Sequence, residues 1–365
     1  MKKQLLFLLA GSFINLNSFV FKSSEDTGSN LINDGPYIFK ADDKFKVLWI
    51  ENNIFREDDI IPENFNSIRR SFNLFFDYND LIDTYLLKPD YGQSYNRIDS
   101  ISVISDIHGE YNTYIELLKV NGIIDKDLNW NFGKGHLVVL GDIFDRGDMV
   151  TEVLWHLFGL EKQAAKAGGM VHVLLGNHEF MVLRNNLCDI HEKYRKVEAI
   201  SGTLYSDLYS ESSLLGKWLR SKPVVITINN IIFVHGGISL EMVHRNLTFK
   251  QINRICATKI LGKDLQSVYS KELLKFLNHT DGPLWYRGYF EDTDFCESKL
   301  DSILEFYGKK HIVVGHTVCK VTTPLFNNKI IGVDTGIMYK QPGEIVIYKN
   351  GFFYKGCPAG SRTRL

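Results

Sequence analysis

The stretch Gly141-Asp142-Ile143-Phe144-Asp145-Arg146-Gly147 follows directly on a short apolar run at residues 137–140. An apolar run of that length, ended by glycine and aspartate, is typical of a buried strand that leads into a loop. Glycine lets the loop backbone approach a bound ion closely, and aspartate and arginine are groups that bind metals and phosphate. This stretch therefore predicts a functional loop at the carboxyl end of a strand.

The same arrangement of an apolar run followed by a polar cluster recurs along the chain. The other runs lie at residues 101–104, 171–175, 231–234 and 311–314. Helical patterns near residues 111–121 and 151–167 separate the first three runs, so the repeated unit is strand, loop and helix. Residues 188–219 and 248–278 also look helical, and we expect them to form cap insertions beside the site.

The loops that follow these runs carry side chains of the kinds that bind metal ions. The motifs are Asp106-Ile107-His108-Gly109, the stretch at residues 141–147, Gly176-Asn177-His178-Glu179, His235-Gly236-Gly237 and Gly315-His316-Thr317. Imidazole and carboxylate donors without thiolate suit Mn, Fe or Zn. A carboxylate can bridge two cations because it has two acceptor oxygens. The pattern therefore predicts a metal site where the loops meet.

In this order the motifs resemble the signature of the phosphoprotein-phosphatase superfamily of calcineurin-like metallophosphoesterases. The run Gly282-Pro283-Leu284-Trp285-Tyr286-Arg287 is similar to one typical of the Shewanella-like protein phosphatases, a branch of that superfamily. The resemblance covers residues 101–336. It implies an α/β (α+β) four-layer metallophosphoesterase fold, in which two mixed β-sheets pack face to face and helices flank them. Ser105 and Leu175 depart from the eukaryotic serine/threonine phosphatases, so that substrate preference does not carry over.

The resemblance also implies a role for the polar residues of these motifs. The residues implied to hold two divalent or mixed-valence metal ions are Asp106 and His108 for one ion, Asp142 as the bridge, and Asn177, His235 and His316 for the other. A metal-bridging hydroxide then attacks phosphorus in line. His178 is implied to act as the general acid on the leaving oxygen, oriented by Asp145. Arg146 and Arg287 are implied to bind the phosphoryl oxygens, since a planar guanidinium forms bidentate hydrogen bonds.

Three residues near these motifs have a structural interpretation beside the chemical one. Arg287 is alternatively a structural charge held against Trp285 and Tyr286 by a cation–π contact. Glu179 is expected to orient neighbouring groups without taking part in the chemistry. Asp334 is expected in a turn after a strand, and the predicted site does not include it.

The two ends of the chain differ from its middle. Met1-Lys2-Lys3 precedes a mostly apolar run, which matches a secretory signal that we expect at residues 1–23. With that signal the protein is exported to the periplasm or secreted, and without it the protein is cytoplasmic. Residues 24–99 are expected to form an N-terminal extension packed on the core, and residues 100–365 the catalytic domain. Near the C-terminus, Asn350-Gly351 predicts a type I′ hairpin.

Charge and cysteine content exclude several classes of protein. The chain has 42 Lys and Arg against 43 Asp and Glu, a net charge of −1, so it lacks the basic excess expected for nucleic-acid binding. Five dispersed cysteines without a Cys-x-x-Cys pair indicate neither a disulfide framework nor a thiolate zinc site. No cysteine has an arginine at the sixth position after it, so the chain is not a cysteine-dependent tyrosine phosphatase. No stretch is long and apolar enough to predict a stable membrane span.

The function that these observations favour is a two-metal phosphomonoesterase that acts as a protein phosphatase. Its substrate is phosphotyrosine or phosphoserine and phosphothreonine, and the residues do not separate the two. A dinucleoside tetraphosphate hydrolase or other small-molecule phosphoesterase stays open, because the same metal core serves several esters. A catalytically silent binding module is the third interpretation, although every expected ligand type and the proton donor are present.

Overall fold

The computed structural model describes residues 31–42 and 44–365, and the expected signal peptide at residues 1–23 lies outside the described residues. The described strands are β1 (Asp34–Ala41), β2 (Lys44–Glu51), β3 (Ile54–Ile60), β4 (Ser94–Tyr95), β5 (Ser100–Ile104), β6 (His136–Val139), β7 (Met170–Val173), β8 (Val225–Ile228), β9 (Ile231–Val234), β10 (His311–Val314), β11 (Thr323–Leu325), β12 (Ile330–Gly332), β13 (Ile345–Lys349), β14 (Phe352–Gly356) and β15 (Arg362–Arg364). The described α-helices are α1 (Pro62–Ser71), α2 (Tyr78–Leu86), α3 (Tyr111–Val120), α4 (Val150–Ala167), α5 (Asn177–Leu183), α6 (Glu192–Ser201), α7 (Leu214–Arg220), α8 (Leu240–His244), α9 (Phe249–Ile255), α10 (Leu265–Tyr269), α11 (Glu272–Leu277), α12 (Gly288–Glu291) and α13 (Glu297–Tyr307). Single turns of 3₁₀ helix lie at Asp207–Tyr209 and Ile337–Tyr339, and a π-helical turn lies at Cys256–Ile260.

Two six-stranded sheets form the centre of the molecule. One has the order β15-β14-β13-β5-β6-β7, with β5, β6 and β7 parallel and the other neighbours antiparallel. The other has the order β11-β12-β10-β9-β8-β4, with β9, β10 and β12 parallel. A separate three-stranded antiparallel sheet contains β1, β2 and β3. Because parallel strands run alongside antiparallel ones, both central sheets are mixed.

A core of apolar side chains lies between the two central sheets. It joins Val103 and Val138 of one sheet to Phe233 and Val313 of the other, and all four are fully buried. The opposite faces of the same strands are also apolar because helices such as α3 and α4 cover them, and those side chains belong to a second, larger core. The predicted four-layer fold, with two mixed sheets face to face and helices outside, is confirmed.

The local predictions agree with these elements. The five apolar runs form β5, β6, β7, β9 and β10, and the two long helical patterns form α3 and α4. Asn350 (φ 52°) and Gly351 (φ 87°) both have positive φ between β13 and β14, which confirms the type I′ hairpin. Residues 188–219 and 248–278 are helical but broken into several short helices.

Residues 31–42 and 44–99 pack on the central layers through hydrogen bonds. The backbone N–H of Lys40 donates to the carbonyl of Ser212 (2.9 Å), and Trp155 Nε1 donates to the carbonyl of Pro36 (2.8 Å). Strand β4 pairs in parallel with β8 and so adds an edge strand to a central sheet. Sequence analysis missed β1 and β3; most side chains of β3 are at least partly exposed, so its sequence has no clear alternation. The boundary at residue 99 stays a prediction.

Two further properties concern the described residues as a whole. Each of the five cysteines is a free thiol. None of the helices within residues 31–42 and 44–365 combines the length and the apolar content needed to cross a bilayer.

We predict that Phe76→Ala destabilises the whole chain, because Phe76 joins the N-terminal part to α4. Its buried ring stacks on Trp155 (centroids 5.4 Å apart) and meets the edge of Phe158 (4.9 Å). Truncating a buried phenylalanine to alanine lowers the free energy of unfolding by about 3–5 kcal/mol. Denaturant unfolding followed by circular dichroism should show one transition at lower denaturant. Phe352→Ala is the exposed control, with little change expected; a second, unshifted transition in Phe76→Ala would instead show independent folding of the two parts.

Candidate metal centre and active site

All five predicted loops meet at the carboxyl ends of strands in the two central sheets. They follow β5, β6, β7, β9 and β10. The side chains they bring together are buried: Asp106, His108, Asp142, Asn177, His178, His235 and His316. The six predicted metal ligands and the predicted general acid therefore occupy one site.

The backbone of these loops is held in a conformation that is unfavourable for residues with side chains. Asp106 (φ 53°), His108 (φ 46°), Asp142 (φ 53°) and His316 (φ 64°) all have positive φ. Such residues cost of order 1–3 kcal/mol each and persist only where their surroundings enforce them. Here the loops enforce one another, since Asp106 N donates to the carbonyl of Gly141 (3.1 Å) and His108 N donates to the carbonyl of Asp142 (2.9 Å).

The carboxylate of Asp142 lies at the centre of the site. Its Oδ2 is 3.2 Å from His235 Nε2, 3.8 Å from His108 Nε2 and 3.9 Å from His178 Nε2. Its Oδ1 accepts a hydrogen bond from the backbone N–H of His178 (3.0 Å). Two groups of possible ligands share this carboxylate: Asp142 with His108 and His178, and Asp142 with His235 and His316. A carboxylate in that position can bridge two ions.

In two of the imidazoles, the ring nitrogen without a hydrogen points at this carboxylate. His108 Nδ1 is 2.7 Å from the carbonyl oxygen of Phe144, and His235 Nδ1 is 2.9 Å from that of Leu140. A carbonyl oxygen only accepts, so Nδ1 carries the hydrogen in each ring. In the neutral imidazole, Nε2 then presents a lone pair towards Asp142, the arrangement found in metal-binding histidines.

Asp106, Asn177 and His316 complete the set of oxygen and nitrogen donors. Asp106 Oδ2 accepts from Ser105 Oγ (2.5 Å) and from the backbone N–H of His316 (3.0 Å). Asn177 Oδ1 is 3.0 Å from His235 Nε2. Buried His316 Nε2 has no hydrogen-bond partner among the described residues. Ser105, which departs from the eukaryotic serine/threonine phosphatases, thus donates a hydrogen bond to a predicted metal ligand.

The electrostatics of the cluster fit bound cations. Burial lowers the pKa of His108 to about 3. Burial also acts to lower the pKa of His235, but the charges of Asp142 and Asp106 outweigh it and raise that pKa to about 9. These carboxylates therefore require positive charge beside them, and metal ions held by nitrogen and oxygen donors supply it.

The predicted general acid is also held by a carboxylate. His178 Nδ1 is 2.5 Å from Asp145 Oδ2. Burial acts to lower the pKa of His178, but Asp142 and Asp145 outweigh it and raise that pKa to about 9. Asp142 and Asp145 thus favour the protonated ring, the form that a general acid needs.

The site opens into a cavity of about 390 Å³ that both predicted phosphate-binding arginines line. Arg146 is exposed there. Arg287 is half-buried and its Nη1 donates to the carbonyl of His316 (2.7 Å), so its phosphate-binding and structural interpretations both stay predictions. Met181, Trp285 and Tyr339 also line the cavity.

Asp334 lies in this cavity as well, although the predicted site does not include it. It is buried, and its Oδ2 has no hydrogen-bond partner among the described residues. Burial and the nearby charge of Asp106 raise the pKa of Asp334 to about 8. Asp334 follows the apolar strand β12, so it carries the same local signal as the predicted loops, but a turn explains that signal equally well.

Glu179 holds two of the loops together. Its Oε1 accepts from the backbone N–H groups of Ile143 (2.7 Å) and Phe144 (3.3 Å), and its Oε2 accepts from those of Asp142 (2.9 Å) and Gly176 (2.6 Å). Burial and Asp142 raise the pKa of this carboxyl, and the N–H donors act against that rise. Glu179 therefore orients the backbone on either side of Asp142, as predicted.

The fold and this donor cluster define a metal-dependent phosphoester hydrolase. Residues 100–320 match the calcineurin-like phosphoesterase family, and the chain belongs to that family. The family's fold implies two metal ions, and the two ligand groups that share Asp142 fit a pair.

The predicted likeness to the Shewanella-like branch is confirmed. The chain is 30% identical to Shewanella-like protein phosphatase 1 of Plasmodium berghei (strain Anka), over 72% of this chain and 76% of the relative. It is 21% identical to Shewanella-like protein phosphatase 2 of Arabidopsis thaliana, over 71% and 74%. Among solved structures, the cold-active protein-tyrosine phosphatase of a psychrophilic Shewanella sp. is 38% identical with a TM-score of 0.84, over 91% of this chain and 99% of that chain.

We predict that Glu179→Gln disturbs the metal site without removing a predicted ligand. The amide NH₂ replaces one oxygen and faces two backbone N–H donors, which leaves buried donors unpaired at about 1–3 kcal/mol each. Denaturant unfolding should show the loss of stability, and elemental analysis should show lower metal content. Glu291→Gln, at an exposed position on the same cavity, should change neither. Wild-type stability and metal content in Glu179→Gln would exclude the orienting role.

Proposed function

We propose that this protein is a two-metal phosphomonoesterase that dephosphorylates proteins, with phosphotyrosine as the preferred substrate. The observation that carries the proposal is the placing of Arg146 and Arg287 in one cavity with the donor cluster around Asp142. Metal-binding groups beside two guanidinium groups suit a phosphate monoester, because both kinds of group can bind its negative charge.

In this proposal Asp106 and His108 would hold one ion, Asn177, His235 and His316 would hold the other, and Asp142 would be shared by the two. Such ions, as Mn, Fe or Zn, would supply Lewis-acid chemistry to the phosphoryl group and a water-derived nucleophile at neutral pH. The carbonyl contacts of His108 and His235 support these roles because they leave Nε2 as the donor atom.

His178 donates the proton that the leaving oxygen needs. Asp145 holds Nδ1 of His178, so Nε2 is the nitrogen available to the substrate. Distance alone also groups His178 with His108 and Asp142 as a possible ligand. We assign it to proton transfer because the Asp145 carboxylate lies at its Nδ1 and favours the protonated ring, whereas carbonyl oxygens lie at Nδ1 of His108 and His235.

Two observations favour phosphotyrosine over phosphoserine. The cavity is lined by Trp285 and by Tyr339, whose side chain is 60% exposed and can contact an aromatic substrate. The Shewanella structure with 38% identity is described as a protein-tyrosine phosphatase.

The substrate proposal is tested with paired phosphopeptides. We expect a phosphotyrosine peptide to give the highest kcat/KM, followed by the phosphoserine peptide of the same sequence, with diadenosine tetraphosphate the poorest. Tyr339→Ala should raise KM for phosphotyrosine by about 2- to 10-fold, since an aromatic contact contributes about 0.5–1.5 kcal/mol, and should leave the phosphoserine peptide unchanged.

Activity that remains in Asp142→Asn measures contaminating phosphatase, because this variant lacks the proposed bridging carboxylate. A preference for diadenosine tetraphosphate would replace the protein-phosphatase proposal with the small-molecule alternative. Equal effects of Tyr339→Ala on both peptides would exclude the stacking role.

The role of His178 is tested by its dependence on the leaving group. His178→Ala should slow an alkyl phosphate by about 10²- to 10⁴-fold, and p-nitrophenyl phosphate far less, because p-nitrophenolate leaves without a proton. Metal content should stay near that of the wild type, and Asp145→Asn should show a milder form of the same pattern. Metal loss in His178→Ala, or equal slowing on both esters, would make this histidine a ligand.

A further inference from the structure

The segment from Asp145 to Met149, which we call the arginine loop, presents Arg146 to the cavity in a strained conformation. Asp145 (φ 71°) and Arg146 (φ 67°) both have positive φ. Backbone hydrogen bonds hold the loop on its inner side, where Gly147 N donates to the carbonyl of His108 (2.8 Å). Two consecutive residues in this region persist only if the surroundings enforce them from both sides.

On its other side the arginine loop is held through the carbonyl oxygen of Asp148. That oxygen accepts from Lys193 Nζ (2.6 Å) and from Tyr194 OH (3.1 Å), both on α6. The hydroxyl of Tyr194 in turn accepts from the backbone N–H of Val150 (2.6 Å). Helix α6 therefore determines where the C-terminal end of the loop lies.

Lys193 is in turn held by the N-terminal sheet. Its Nζ is 2.7 Å from Oδ1 of Asp34, the first residue of β1, and 3.6 Å from Oε1 of Glu152 on α4. The other oxygen of Asp34 accepts from Tyr37 OH and from Thr151 Oγ1 (3.5 Å). Asp34 lies outside residues 100–320, the part of the chain that matches the phosphoesterase family.

This ion pair differs from the surface pairs of the molecule in its burial. The side chains of Lys193, Asp34 and Glu152 are 12%, 0% and 7% exposed. Exposed pairs contribute little, but removing one partner of a buried pair leaves an uncompensated charge and forces the surroundings to move. Lys193 Nζ donates a hydrogen bond to the carbonyl of Asp148, and the carboxylates of Asp34 and Glu152, on two other segments, pair with its charge.

We propose that Lys193 is a positioning residue for phosphate binding: by joining Asp34 of the N-terminal sheet to the carbonyl of Asp148, it holds the arginine loop so that Arg146 meets the phosphoryl group. The N-terminal sheet is then part of the phosphate-binding apparatus although no residue of it lines the cavity in the described chain. This inference rests on the phosphate-binding role proposed for Arg146.

The test measures phosphate binding by the full-length, metal-loaded enzyme. The inhibition constant of inorganic phosphate against p-nitrophenyl phosphate is compared for wild type, Lys193→Met, Arg146→Ala and the double variant. We expect Lys193→Met to raise this constant and KM by about 10- to 100-fold, the effect of misplacing a binding group by about 1 Å. Metal content should stay near wild type, and kcat should change less than KM.

The double variant separates positioning from general destabilisation. If Lys193 acts through Arg146, adding Lys193→Met to Arg146→Ala has almost no further effect on the inhibition constant. If the double variant raises the inhibition constant by the product of the two single effects, the proposal is overturned. Lys196→Met is the matched control, since Lys196 lies on the same helix in an exposed pair with Glu192 and should leave every parameter unchanged.

The remaining outcomes are also decisive. If Arg146→Ala does not alter the inhibition constant, the proposed role of Arg146 fails. If Arg146→Ala raises it and folded Lys193→Met does not, the positioning inference fails alone. Should Lys193→Met not fold, Asp34→Asn weakens the same ion pair while keeping the size of the side chain. An unchanged inhibition constant in that variant would overturn the inference.

Discussion

The carboxylate of Asp142 is buried where the two central sheets meet, and it cannot remain charged there without positive charge beside it. Placing an unpaired carboxylate in such surroundings costs many kcal/mol. Three imidazoles and the backbone N–H of His178, in the first turn of α5, surround it. Bound metal ions would supply the positive charge that it requires. The donor types, the direction of each imidazole and the burial of the site all follow from that requirement.

Backbone N–H and carbonyl groups position the side chains around this charge. Glu179 accepts hydrogen bonds from backbone groups on both sides of Asp142, and carbonyl oxygens set the hydrogen position in His108 and His235. The positive φ angles of Asp106 and Asp142 are tolerated because the two loops lie close to the strand ends and hydrogen-bond to each other. The two sheets thus form the rigid support, and the loops carry the side chains of the predicted site.

In the function that we propose, substrate choice depends on parts of the chain outside the metal-binding loops. Tyr339 lies in a single 3₁₀ turn between Gly336 and Lys340, which both adopt left-handed conformations and so fix where the ring stands at the cavity. Lys193 joins the N-terminal sheet to the arginine loop. Related enzymes can therefore keep one metal core and change the ester they accept through such surrounding segments.

The strands that carry the site could be predicted from the amino-acid sequence, because each apolar run and the polar cluster after it are neighbours along the chain. The motifs identified the family, and they predicted the ligand types and the roles of residues such as Asp142 and His178. Local pattern also predicted the hairpin at Asn350-Gly351, since positive φ at both turn positions is a property of those residues themselves.

Contacts between distant segments could not be predicted from the local pattern. The fold places Asp334 in the cavity, brings Asp34 of β1 to Lys193 of α6, and joins β1, β2 and β3 into the N-terminal sheet. Periodicity along a sequence reports which face of one element is buried. A cavity wall or a buried ion pair depends on which distant segments meet, and the packing of sheets and helices determines that.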